Sequence, residues 1–126
     1  MRKAQSRSGN VLVVDDDWRI RELVQLALEE SGISVTTVAD GARAIALIRN
    51  ERPAVLVLDL TLPGADGFAV AEAVRDVHGD AVPVVVVTAD DSAREKAAAI
   101  GAVGHLGKPF DIDELTQLVE RALDGG

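Results

Sequence analysis

Asp15 and Asp16 follow the apolar run Val11-Leu12-Val13-Val14, Asp59 follows Val55-Leu56-Val57-Leu58, and Thr88 follows Val84-Val85-Val86-Val87. Lys108 comes after the Gly-interrupted stretch Ala102 to Gly107 and directly before Pro109. Three carboxylates drawn into one crevice repel one another and stay ionised only beside a compensating cation. All-oxygen ligands suit Mg2+, which takes one or two carboxylates, several waters and phosphate oxygens. A lysine and a hydroxyl beside such a site suit phosphoryl oxygens. A carboxylate there can act as a nucleophile and form an aspartyl phosphate. Cation and lysine would share the charge of the transferring group. Each residue also has a plain reading. Asp15 to Asp17 could be a solvated acidic turn, Thr88 an ordinary strand-end threonine, and Lys108 an exposed residue of an extended dipeptide. Their joint placement at one edge is what favours a site.

That placement depends on the elements. The three apolar runs lack polar alternation, so they read as strands buried on both faces. Ser34 to Val38 is β-branched and reads as a fourth strand, and Ala102 to Gly107 as a short fifth. Helical stripes lie between them. Ile20, Leu23, Val24, Ala27 and Leu28 share one face of a helix capped by Asp17 and ended by Gly32. After Asp40-Gly41 turns the chain, Ala44, Ile45 and Ile48 face inward on a second helix, which stops before Pro53. Pro63-Gly64 signals a turn after Asp59. Asp66-Gly67 leads into a third helix with Val70, Val74 and Val77 on one side. Asp90, Asp91 and Ser92 are candidate caps for an Ala-rich fourth helix through Ile100. The last helix starts at Asp111 and turns Ile112, Leu115, Leu118, Val119 and Ala122 inward. Five strands alternating with five helices predict an α/β fold, a doubly wound parallel sheet covered on both faces. Right-handed crossovers place every strand's C-terminal end on one edge, where ligands bind in such sheets.

Composition narrows the chemistry. The chain has 126 residues, enough for one domain with a substantial core. Lys and Arg total 13 against 21 Asp and Glu, a formal charge of -8. That argues against direct nucleic-acid binding by this stretch, because phosphate backbones demand a basic surface. There is no cysteine, which excludes thiol catalysis and thiolate metal sites and fits a reducing, cytoplasmic setting. No apolar run approaches a membrane span. Residues 1–9 are basic and polar and read as a flexible tail, and 124–126 as a frayed end. The usual glycine-rich nucleotide cradles are missing.

Four motifs stand in order at specific spacing: Val-Val-Asp15-Asp16, Leu-Asp59-Leu-Thr-Leu-Pro63-Gly-Ala-Asp66-Gly67, Val-Thr88-Ala89 and Gly-Lys108-Pro109-Phe110. Over residues 10–123 the chain resembles the receiver domain of two-component response regulators. The resemblance implies a flavodoxin-like sheet of order 2-1-3-4-5. It implies that Asp59 accepts a phosphoryl group from the phosphohistidine of a sensor histidine kinase, or from a phosphotransfer protein, in a Mg2+-dependent reaction. Asp16 and Asp59 would ligate the metal directly, with the backbone carbonyl of Thr61, and Asp15 largely through water. Lys108 would pair with the acceptor carboxylate and then with the phosphoryl group. Thr88 would hydrogen-bond that group and carry a switch, with small Ala89 leaving the acceptor accessible. The Lys108-Pro109 peptide would be cis. Such a domain promotes only its own phosphorylation and dephosphorylation, and is not an enzyme acting on a separate substrate. Its output partner would dock on the face formed by the fourth helix, fifth strand and fifth helix, with no membrane involved. The fifth-strand switch position, usually Tyr or Phe in the family, holds His105. An Asp-x-Asp phosphatase is the rival reading of Asp15-x-Asp17, but Trp18-Arg19 follows where that class expects Gly-Thr.

Overall fold

The computed structural model describes residues 9–62, 67–89 and 92–125. The expectations placed on residues 1–8, on the Pro63-Gly64 turn, on Asp66, on the caps Asp90 and Asp91 and on Gly126 lie outside the described residues. Strands β1 (Asn10–Val14), β2 (Ser34–Val38), β3 (Val55–Asp59), β4 (Val84–Thr88) and β5 (Gly104–Gly107) alternate with five helices. These are α1 (Trp18–Glu30), α2 (Gly41–Asn50), α3 (Gly67–His78), α4 (Ala93–Ile100) and α5 (Ile112–Leu123). All four strand pairings are parallel, in the order β2-β1-β3-β4-β5. This is the doubly wound, flavodoxin-like architecture.

The continuous apolar runs are explained by the two layers they face. Every residue of β3 and β4 is buried. Leu12, Val14, Leu56, Leu58, Val84 and Val86 pack with Ala44 and Ile48 of α2, Val70 and Val74 of α3, and Ala97 of α4. The alternate residues Val11, Val13, Val55, Val57, Val85 and Val87 pack with Val24 and Leu28 of α1 and with Leu115 and Val119 of α5. Each fully buried Val or Leu contributes roughly 1.5–3 kcal/mol of transfer free energy. A sheet loaded on both faces therefore has rigid strand ends, which is what the polar residues there require.

Acids cap three helices, Asp17 as expected and Asp40 and Asp111 besides, whereas the candidate cap Ser92 precedes α4 without a side-chain cap bond. Asp17 accepts from the Arg19 amide at 2.9 Å and Asp40 from the Arg43 amide at 2.8 Å. Asp111 accepts from the Asp113 amide at 2.9 Å. Three details differ from expectation. Leu23 is 48% exposed, because it lies on the flank of the α1 stripe, beside Leu26 at the groove towards α5. Val77, in the last turn of α3, is 45% exposed. β5 begins at Gly104 and not at Ala102, because the Ala102 amide turns back to the Ala97 carbonyl to close α4. Gly67 opens α3 against the end of β3, with its backbone amide on the Leu60 carbonyl. A Cβ there would lie 2.5 Å from Leu60 Cα and 2.9 Å from the Asp59 carbonyl oxygen, so only glycine fits. The Lys108-Pro109 peptide is cis, as the resemblance implies.

Candidate functional site

Parallel pairing brings the ends of β1, β3, β4 and β5 to one edge. One carboxylate oxygen each from Asp15, Asp16 and Asp59 lies within 4.8 Å of the others. Asp15 and Asp59 are buried, at 1% and 3% exposure, whereas Asp16 opens to solvent. Thr88 ends β4, fully buried, and its carbonyl accepts the Lys108 amide at 2.9 Å. That backbone bond ties β5's exit to β4's end. From there the Lys108 side chain reaches across β4 to β3, donating to Asp59 Oδ2 at 2.9 Å. Its Nζ also lies 2.8 Å from Asp15 Oδ2. This second contact is an ion pair outside hydrogen-bond geometry, so Asp15 Oδ2 is buried without a hydrogen bond among the described residues.

The remaining carboxylate oxygens are oriented from the backbone. Asp15 Oδ1 accepts from the Asp17 amide at 2.9 Å, and Asp59 Oδ1 accepts from the Thr61 amide at 2.9 Å. Both are short side-chain-to-backbone turns, which acids at strand ends readily form. Burial pushes the Asp15 carboxyl above its ordinary pKa against the opposing pull of Lys108 and the Asp17 amide. For Lys108, burial works to lower the pKa, but the carboxylates of Asp15 and Asp59 outweigh it and hold it above 10.5. One ammonium thus serves two buried carboxylates, and the cluster keeps a negative excess. A buried Asp15 oxygen paired with the shared Lys108 ammonium, an open carboxylate on Asp16 and a third on Asp59 make a donor set that fits a hard divalent cation.

The site gathers Asp15, Asp16, Asp59, Thr88 and Lys108, as expected from their order. Thr61 is exposed, and its described contact is the amide donated to Asp59, so the expected role of its carbonyl is untouched by it. His105 sits on β5 opposite Val86 and is exposed. Sequence reading missed Arg21. Its Nη1 donates to the Asp15 carbonyl at 2.9 Å. The signal was available: Arg21 is one turn past the Asp17 cap, and helical side chains lean towards the N-terminus.

Known proteins share both the sequence and the fold. A family model described as the response regulator receiver domain matches residues 11–120. The "DNA-binding transcriptional regulator NtrC" of Escherichia coli (strain K12) is 41% identical over 117 residues, covering 91% of this chain and 25% of that protein. The "Response regulator MprA" of Mycobacterium sp. (strain KMS) is 43% identical over 107 residues, covering 83% of this chain and 46% of that protein. The chain thus spans less than half the length of either relative, and the DNA binding in the first name is said of that whole protein. The receiver domain of a Francisella response regulator superposes with a TM-score of 0.84 at 32% identity, covering 94% of this chain and 98% of that one. A receiver domain from a Pseudomonas aeruginosa PAO1 sensor histidine kinase, described with a magnesium ion coordinated in the active site cleft, gives 0.83 at 28% identity. It covers 93% of this chain and 98% of that one. With the edge-facing acids, the Lys108 bridge and the β2-β1-β3-β4-β5 sheet all in place, the chain belongs to the receiver domain family of two-component response regulators.

Proposed function

We propose that Asp59 is the phosphoacceptor of this receiver domain, and that the domain spans residues 10–123. The observation that carries the proposal is the Lys108 ammonium held between Asp59 Oδ2 and Asp15 Oδ2 at the sheet edge. A carboxylate oxygen of Asp59 attacks the phosphorus of a kinase phosphohistidine. The P–N bond breaks, its electron pair returns to the imidazole, and an acyl phosphate forms on Asp59. Asp16 and Asp59, with the Thr61 carbonyl, would hold Mg2+, and Asp15 would act largely through water. When bound, the ion neutralises charge on the transferring group. Lys108 moves from the acceptor carboxylate to a phosphoryl oxygen, and the Thr88 hydroxyl donates to another. The domain acts on no separate substrate. The new charge on Asp59 draws Thr88 and alters the face of α4, β5 and α5, where an output partner binds. The formal charge of -8 favours a protein over nucleic acid as the partner of this stretch itself. Among the described residues no helix is long and apolar enough to cross a membrane.

Incubation with a small acyl phosphate, with and without Mg2+, followed by intact mass measurement tests this reading. One phosphoryl group should add only with the metal. Equal labelling in the presence of a chelator would overturn it.

A further inference from the structure

Of the three clustered carboxylates, two have their side chains fixed. Asp59 is held at both oxygens, by the Thr61 amide and by Lys108, each at 2.9 Å. Asp15 is buried and held by the Asp17 amide on Oδ1, with Lys108 Nζ beside Oδ2. Asp16 is the exception. It is exposed, and among the described residues no hydrogen bond or ion pair holds its carboxylate. Its direction therefore rests on its backbone. The Asp15 carbonyl and the Asp16 amide belong to one peptide plane. The Asp15 amide anchors the start of this loop on the Val38 carbonyl at 3.2 Å. The guanidinium of Arg21 then holds the Asp15 carbonyl from the far side at 2.9 Å. Arg21 is itself placed by the first turn of α1, its amide on the Asp17 carbonyl at 3.1 Å. Arg21 thus ties the Asp15–Asp16 peptide to the first turn of α1.

We infer that Arg21 is a positioning residue for the divalent cation: by fixing the Asp15–Asp16 peptide plane it aims the Asp16 carboxylate into the crevice. The inference rests on the metal-binding reading above and adds a residue to it. It also predicts an effect of unusual sign. Arg21 is a cation near an acidic cluster, so acting through charge alone it would repel Mg2+, and its removal would tighten binding. Acting by position, its removal weakens binding although a positive charge is lost. Outer partners of metal ligands are worth 10–100-fold in metal affinity. Arg21→Met should therefore weaken Mg2+ binding by about tenfold. Arg21→Lys should fall between that variant and wild type, because it keeps the charge and a donor but not the planar fork.

The test is Mg2+ titration calorimetry on the wild type and both variants, with amide NMR spectra of the metal-free proteins. Weaker binding in Arg21→Met, a moved Asp16 amide resonance without metal, and an unmoved Leu115 amide in the core are the expected results. Equal or tighter binding in Arg21→Met, or weaker binding with an unmoved Asp16 amide, would overturn the inference while leaving the metal site intact. If Arg21→Met does not fold, a wild-type affinity in Arg21→Lys with an unmoved Asp16 amide overturns it, and a weakened one with a moved amide supports it. A wild-type protein that takes up no Mg2+ would overturn the metal reading and this inference with it.

Discussion

Replacing Lys108 by methionine isolates the electrostatics of the site. Methionine is of similar length and can lie along the same path, so the change is mainly one of charge. The Lys108 side chain is 16% exposed, and its partners Asp15 and Asp59 only 1% and 4%. Its loss leaves Asp15 Oδ2 with no described partner and Asp59 Oδ2 without its hydrogen bond. Removing one member of a buried ion pair costs about 3–5 kcal/mol. The crevice is open at Asp16, so the lower end, about 3 kcal/mol, applies. At roughly 2.1 cal/mol/K per residue of unfolding entropy, that lowers Tm by about 10 °C in the metal-free protein. Mg2+ replaces the missing cation for the same carboxylates, and its binding to the folded state alone raises Tm. The Mg2+-induced rise should therefore be larger in Lys108→Met than in the wild type. The sign of the pH dependence also follows. The Lys108 pKa is held above 10.5, so its contribution is complete below that pH and fades as pH rises through the higher folded value. On the alkaline side, the stability gap between the two proteins should then close only above that pH. Scanning fluorimetry at neutral pH, with chelator and with saturating Mg2+, reads the main effects. An unchanged metal-free Tm, or an equal Mg2+ response in both proteins, would refute the reasoning.

Other perturbations probe different parts of the site. Gly67→Ala should lower stability by about 1–3 kcal/mol, the usual cost of overpacking, since its Cβ would meet Leu60 Cα at 2.5 Å; a denaturant midpoint equal to wild type would contradict the close approach. Trp18, 62% exposed and two residues beyond Asp16, should change fluorescence as Mg2+ binds. Asp16→Asn should move that titration to higher Mg2+, and an unmoved midpoint would remove Asp16 from the ligands. His105→Ala should change stability by less than about 0.5 kcal/mol, as surface substitutions usually do, and leave Mg2+ binding unaltered. In the intact protein the His105 ring resonances should move when Asp59 is phosphorylated, and identical spectra of both forms would place His105 outside the switch.

The order of elements was legible because two-sided burial leaves an unmistakable pattern. Val84 to Val87 can be continuous valine only where both faces are covered, and alternate residues do pack in opposite layers. The acids and Thr88 were legible for the same reason: polar residues ending such strands share an edge once all strands run parallel. What escaped depends on side-chain reach and on competition for backbone groups. Nothing in the spacing showed that Lys108 contacts Asp15 as well as Asp59, because that depends on the strand order and on the exit from β5. Ala102 read as strand because its neighbours are apolar, yet its amide closes α4. Leu23 fitted the helical stripe, but the stripe is wider than the face that α1 buries. Arg21 was passed over, although its place one turn past the Asp17 cap leans its side chain back towards Asp15.

The account stands most directly on where a phosphoryl group adds. Wild type and Asp59→Asn should be treated with an acyl phosphate and Mg2+, then mapped by peptide mass spectrometry at a pH that preserves acyl phosphates. The prediction is a single metal-dependent label on the peptide containing Asp59, and none on the variant. An undiminished label on Asp59→Asn, or a wild-type label confined to another acid of the cluster, would contradict the assignment of Asp59 as acceptor.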